Sequence, residues 1–388
     1  MTSPQIDIQL VAVATAAACA LPGAFLLLRK MGMMTDAISH AILPGIVVGF
    51  FLTEDLSSPV LIVAAAATGV LTVFLVEMIR DTRLVKEDAA IGLVFPVLFS
   101  IGVVLISRYA GDVHLDVDAV LLGELAFAPF DRLTVGGVDL GPRGLYVVGA
   151  TGLATAAFIG AFYKELKCAT FDPGLAAALG LAPGVLHYAL MSFVSMTAVA
   201  AFDAVGSILV VALFVGPPAA AYLLTDELPR MIGLSMGIGA ASAVSGYWVA
   251  HGLDVSIAGS MAGCVGVAFA LAFLFAPERG VVADWRRRRQ QRWVFAAEML
   301  SVHLLNHENT PEEPQENRVG HLQEHFGWDA ETARRTVRYA RMHDWVDASG
   351  DRLSLTREGR DVAHHVLRRG RGRYPNDSHP RVRKPTTP

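Results

Sequence analysis

Charge interrupts this sequence about every twenty residues, and between the interruptions the first 276 positions are mostly apolar. Residues 89–107 hold no Asp, Glu, Lys or Arg, and neither do residues 205–224. An α-helix needs about 20 apolar residues to cross the roughly 30 Å hydrocarbon layer of a bilayer. Such runs fall at 8–28, 37–52, 58–79, 89–107, 144–163, 185–200, 202–224, 231–251 and 257–276. Their repetition excludes a single anchor, and residues 1–10 lack the Lys or Arg with which a cleavable leader begins. Inside lipid a segment must satisfy its own backbone polar groups. The expected fold class is therefore an all-α polytopic membrane protein with about 8–10 transmembrane helices. The runs 185–200 and 202–224 are contiguous, which predicts a broken helix there. Composition agrees, since 53% of the residues are hydrophobic and 18% charged, against about a quarter charged in soluble chains.

Small residues recur at Ala64–Ala67, at Gly233, Gly237 and Gly239, and at Ala258, Gly259, Ala262 and Gly263. They predict close helix packing. Basic residues predict the orientation. Arg80, Arg83 and Lys86, then Lys164 and Lys167, then Arg279 and Arg286–Arg289 mark cytoplasmic segments, and an odd number of spans puts the N-terminus outside. Cys19, Cys168 and Cys264 lie too far apart in sequence for a metal cluster or a disulfide framework.

The composition changes after Ala276. Residues 277–292 read as a basic juxtamembrane linker and 293–370 as a small soluble domain. In that domain helices are expected at 293–307, 319–325, 330–343 and 357–369, with a hairpin over 345–355. Residues 371–388 are rich in Pro and Arg and are expected to be disordered.

Function is sought in the ionisable groups inside the spans, because they are costly there. Asp36 and His40 are four apart, on one helical face. A carboxylate with an imidazole suits Mn²⁺, Fe²⁺ or Zn²⁺, and Pro44 and Gly45 interrupt the helix one turn later, as in transporter helices broken around ion sites. The competing reading makes Asp36 a helix N-cap and His40 a buried, hydrogen-bonded side chain. His251 and Asp254, three apart, form a second pair of candidate ligands, or else a solvated turn around Gly252. Asp203 is a third embedded acid, a ligand or a packing group. His114, Asp116 and Asp118 belong to a loop expected outside. Phe171-Asp172-Pro173 through Ala176 and Gly180 reads as a short exposed helix capped by Asp172, a docking element for a partner. His364 and His365 are adjacent and point apart on a helix, which argues against a joint metal site. No Gly-x-x-x-x-Gly-Lys-Ser/Thr loop occurs, so the chain is not expected to be an enzyme that hydrolyses ATP.

These residues resemble a family. Ser39-His40-Ala41 through Leu43-Pro44-Gly45 is similar to the Ser-His-Ala-x-Leu-Pro-Gly signature of metal-ion ABC transporter permeases, which import manganese, zinc or iron. Glu87–Gly92, Phe171–Gly180 and Ala204-Val205-Gly206 through Pro217-Pro218-Ala219 resemble further family segments in the same order, so the likeness covers residues 8–276. The resemblance implies a permease subunit of an ATP-binding cassette importer, with the divalent metal ion as cargo and no resident cofactor. It implies a cytoplasmic ABC ATPase, an extracytoplasmic metal-binding protein and a second permease subunit as partners, besides membrane lipid. It carries Asp36 and His40 over as metal ligands, and Phe171, Asp172, Pro173, Ala176 and Gly180 as the ATPase-coupling segment. His251 and Asp254 fall near the family's Asp-x-Pro-x-Gly region, where this chain has Ser256 and Ala258 instead of Pro and Gly. Asp and His donors do not separate the three metals.

The tail resembles a second group. Leu353–Arg360 through Ala363 is similar to the wing and following helix of iron-dependent, diphtheria-toxin-repressor-type regulators, which implies a small α+β winged-helix cytoplasmic domain. Arg334, Arg335 and Arg338 would then lie on a recognition helix that could meet nucleic acid. A charged solvated helix is the other reading of them. The alternative function is a membrane-tethered, metal-responsive DNA-binding regulator.

Overall fold

The computed structural model describes residues 3–54, 58–109, 125–135 and 138–371. His114, Asp116 and Asp118, and the tail from 372 on, lie outside the described residues. The chain divides into two units, Met1–Val281 and Val282–Pro388.

Among the described residues nine helical segments are long and apolar enough to cross a membrane. They are α1 (Ser3–Leu28), the composite α2 (Met34–Ala41) with α3 (Leu43–Thr53), α4 (Pro59–Asp81), α5 (Glu87–Tyr109), α6 (Arg143–Ala161), α9 (Pro183–Val205), α10 (Ser207–Leu224), α11 (Leu228–Leu253) and α12 (Ile257–Phe275). The short helices α7 (Tyr163–Phe171) and α8 (Pro173–Ala178) lie between α6 and α9. The connection before α6 holds β1 (Arg132–Val135) and β2 (Val138–Pro142), an antiparallel hairpin. The sequence reading expected no strand there, since hydropathy is silent outside the spans. Arg132 ties the hairpin to α1 through Asp7 at 3.0 Å.

Two interruptions shape the bundle. At Ile42 the backbone stays helical, with φ −72° and ψ −18°, but Pro44 has no N–H to donate to the His40 carbonyl, and α2 gives way to α3. Between α9 and α10 the only residue is Gly206, at φ 80° and ψ 163°, a conformation open to glycine. The break therefore falls later than the apolar pattern suggested, and Asp203 belongs to the last turn of α9.

The bundle packs around α1 and α10. Val11, Ala12, Ala16, Cys19, Ala24, Phe25, Leu209, Leu213 and Phe214 are all buried. α5 turns Leu93, Val97, Ile101 and Val104 outward, as lipid or another subunit permits. Close backbone approach occurs where Gly23 faces the Phe214 carbonyl, Gly45 faces Ala64, and Gly246 faces Met261. The small-residue series singled out from the sequence packs closely in part: Ala64 lies against Gly45 and Gly49, and Ala65 and Ala258 are buried. Gly239 packs on Ala16 and Pro217, but Gly233, Gly237 and Gly263 have nothing within 4 Å of where a Cβ would stand. Spacing shows that a helix has a small-residue face but not that a neighbour covers it.

The second unit begins with α13 (Val281–His307), followed by α14 (Glu313–Glu316), α15 (Val319–Phe326), α16 (Ala330–Met342), β3 (Val346–Ser349), β4 (Arg352–Leu355) and α17 (Arg357–Arg371). The stretch expected as a basic linker is helical from Val281. Arginine favours helix, and Arg288 pairs with Asp284 one turn earlier at 2.8 Å. β3 and β4 pair antiparallel, Val346 with Leu355 and Ser349 with Arg352. Leu300, Leu304, Leu322, Val337, Val346, Leu353 and Leu355 form this unit's own core.

Candidate metal path

Asp36 and His40 sit on the half-exposed face of α2. The opposite face, Met34, Thr35, Ala37, Ile38, Ser39 and Ala41, is buried. The Ser39 hydroxyl donates to the Thr35 carbonyl at 2.9 Å, so the buried hydroxyl is satisfied inside the helix. Asp36 is not the N-cap. That position is Met33, with no side-chain cap. The carboxylate instead turns to its i+4 neighbour, with Asp36 Oδ1 3.5 Å from His40 Nε2. The two side chains keep 34% and 29% of their surface exposed, which leaves both accessible to an ion. The His40 ring lies 5.8 Å from that of Phe95, and Leu43 and Pro44 lie against Gly102. The pair is thus placed near the middle of α5, within the bundle's thickness.

His251 and Asp254 lie elsewhere. His251 is in the last turn of α11 and stacks on Tyr247, with rings 6.1 Å apart. Asp254 is that helix's left-handed C-cap, at φ 53°. Both line a recess of about 370 Å³ with Tyr247, Leu125, Phe127 and Ser256. α2 starts where α1 ends, whereas α11 ends at the opposite face of the bundle, as the alternation of spans requires. The structure does not bring the two pairs together. Asp203 lies on the same face as Asp254, in a smaller recess of about 190 Å³ shared with Asp131 and Gly144.

The segment Phe171–Gly180 forms the predicted short helix. Asp172 Oδ1 accepts from the Leu175 amide at 2.9 Å, and Pro173 opens α8. Ala176 is fully buried, and Gly180 ends the turn at φ 78°. Phe171, Leu175 and Leu179 are 60%, 51% and 65% exposed, so an apolar face is offered outward beside Lys164 and Lys167.

The sequence reading missed a polar network at this same end. Glu77 of α4 is almost buried, and its Oε1 lies 2.9 Å from His187 Nε2 of α9 and 3.3 Å from Arg80. Arg29, just past α1, donates from Nη1 to His187 Nδ1 at 3.0 Å. A guanidinium can only donate, so the imidazole proton belongs to Nε2, on the Glu77 side, although it is not aligned on that carboxylate. Arg29 Nε also donates to Thr170 at 3.1 Å, one residue before the Phe171–Gly180 segment. Arg80 reaches Glu87 at the start of α5, 3.7 Å away. One cluster of charge thus joins α1, α4, α5, α7 and α9.

In the second unit Arg334, Arg335 and Arg338 lie on α16 as expected. Arg334 Nε donates to the Ala330 carbonyl at 3.1 Å and Arg335 Nε to Glu331 at 2.6 Å.

The sequence pattern of the ABC 3 transport family matches residues 6–276. The zinc transport system membrane protein TroD of Treponema pallidum is 45% identical over 362 residues, covering 93% of this chain and 98% of that protein. An alignment of that length cannot fit inside residues 1–281, so this relative shares sequence with the second unit. The manganese transport system membrane protein MntD of Bacillus subtilis is 49% identical over 264 residues, 68% of this chain and 89% of that one. A solved structure of PsaBC from Streptococcus pneumoniae in complex with a Fab matches with TM-score 0.60 and 28% identity, over 72% of this chain and 94% of that one.

Proposed function

The chain belongs to the ABC 3 transport family, and from that premise we propose that it is the membrane-spanning permease subunit of an ATP-binding cassette importer for divalent transition metal ions, zinc, manganese or iron. The observation that carries the reading is the Asp36–His40 pair, half exposed beside the kink at Ile42. An ion delivered by an extracytoplasmic binding protein exchanges part of its water shell for this carboxylate and imidazole. Two donors do not complete a transition-metal shell. A second permease subunit bringing the same face supplies two more, and water the rest. The basic residues Arg80, Lys86, Lys164, Lys167 and Arg279 support a cytoplasmic location for Phe171–Gly180 and for the second unit.

Closure of a separate ATPase pushes on Phe171, Leu175 and Leu179, and the Glu77–His187–Arg29 cluster passes the movement from α7 to α1, α4 and α9. His251 and Asp254, at the outer face, serve at most as an entry station and not as part of the Asp36–His40 site.

The β3–β4 hairpin between α16 and α17 supports a winged-helix reading of the second unit. We assign that unit to protein contacts rather than to DNA, because Arg334 and Arg335 are engaged within their own helix. The test is metal uptake into proteoliposomes holding the chain with its ATPase and binding protein. Asp36→Ala with His40→Ala is expected to lower uptake at least tenfold while the complex still assembles. Undiminished uptake would remove Asp36 and His40 from the path.

A further inference from the structure

We propose that the second unit carries its own divalent transition-metal site, built from His303 and His307 of α13, His321 and His325 of α15, and Glu316 between them. It uses none of the transport-path residues and stands or falls independently of the transport reading.

The site is a product of helix geometry. His303 and His307 are one turn apart on α13, and His321 and His325 are one turn apart on α15, so each helix presents two imidazoles on one side. The two helices turn these sides toward each other. The His303 ring lies 4.7 Å from His307 and 4.5 Å from His325, and His321 lies 6.0 Å from His325. Glu316, the last residue of α14, enters between them. Its Oε2 is 2.8 Å from His321 Nε2 and 3.7 Å from His303 Nε2. The donor atoms of His303, His307 and Glu316 all lie within 4.8 Å of one another, and so do those of Glu316, His321 and His325. Ligands around a tetrahedral zinc ion, with bonds of about 2.0–2.2 Å, are separated by about 3.4 Å. Side-chain rotation without backbone change therefore brings either set onto one ion.

Ordinary hydrogen bonds account for only part of this cluster, in that His303 Nε2 stands 3.4 Å from the Glu316 carbonyl oxygen. Glu316 Oε2 is buried, yet no N–H is aligned on it, although ring nitrogens stand at 2.8 and 3.7 Å. An oxygen lone pair facing ring nitrogens with no proton aligned between them is the arrangement a cation bridges. One carboxylate also cannot satisfy four imidazoles. Phe326 closes one side, its ring 5.2 Å from His303, and Leu304 and Leu322 lie buried among the same helices. Imidazoles with one carboxylate select a zinc-like or neighbouring transition ion over magnesium or calcium.

Co²⁺ is the probe, because its visible absorption reports a four-coordinate nitrogen and oxygen shell. The full chain is purified in detergent as Asp36→Asn/His40→Gln, so that the Asp36–His40 site contributes no signal, and titrated with Co²⁺. The expected result is saturable, stoichiometric binding with strong visible bands that Zn²⁺ displaces. Adding His307→Gln and His321→Gln, both part-exposed positions, should weaken Co²⁺ binding at least tenfold with an unchanged circular dichroism spectrum. Should that variant misfold, Glu316→Gln, which keeps the side chain's size, must weaken binding as well. The proposal is overturned if the parent binds no Co²⁺ stoichiometrically, or if the folded variants bind it as tightly as the parent.

Discussion

Glu77 is a carboxylate inside an apolar span, and its partners come from other helices. Removing it in Glu77→Ala leaves Arg80, Arg29 and His187 facing one another across α4 and α9 without the charge that holds them together. Losing one partner of a buried ion pair costs about 3–5 kcal/mol. The expected outcome is a markedly lower melting temperature of the detergent-solubilised chain, with Glu77→Gln in between. A melting curve matching the parent's would show that the cluster is not structural. The rule that singled out Asp36, an ionisable group inside a span, applied equally to Glu77 and His187. Asp36 stood out because its partner is four residues away, whereas the partners of Glu77 and His187 come together only through folding. The histidine cluster teaches the same lesson in reverse. Its i, i+4 spacing at 303/307 and 321/325 was legible, but Glu316 and the facing of α13 on α15 were not, and the only histidine pair weighed in this unit was the adjacent His364 and His365.

At the scale of elements, α8 depends on its cap. It spans only Pro173–Ala178, and Asp172 supplies its side-chain cap. Asp172→Ala should cost about 1 kcal/mol, more than a helix of this length can lose and stay formed. The outcome expected is intact binding of metal but reduced metal-stimulated ATP hydrolysis by the assembled complex, and unchanged stimulation would argue against α8 as the coupling element. This element was readable because Asp-Pro-Gly states its own turn chemistry. The exposed Phe171, Leu175 and Leu179 were not, because an apolar residue in a short helix carries no sign of which side it faces.

α17 offers a pH test. Arg360 grips Glu308 through both carboxylate oxygens, with contacts from 2.6 to 3.1 Å, and the guanidinium holds that carboxyl below the usual carboxylate range. A depressed acid contributes stability that is present above its unfolded pKa of about 4.3 and lost as pH falls through the folded value. Amide protection in α17, taken relative to the intrinsic exchange rate at each pH, should therefore fall on acidification below that range more in the parent than in Glu308→Gln. Equal pH profiles would show that the pair does not anchor the helix.

At the scale of the molecule, the apolar runs were enough to read nine spans and the change of character after Ala276, since both follow from composition alone. What they left unread was everything set by facing: the hairpin before α6 and the glycines that touch neighbours. The placement of His251 and Asp254 at the face opposite the start of α2 follows from charge bias and the alternation of spans. The half-exposed face of α2 has a consequence for biosynthesis. On the proposed path, a newly inserted chain still alone in the bilayer would offer an ion one carboxylate and one imidazole, too few to strip its water. Such an orphan would be an insulator, so surplus copies awaiting assembly would not leak metal across the cell's boundary, and conduction would begin only when the finished complex is in place.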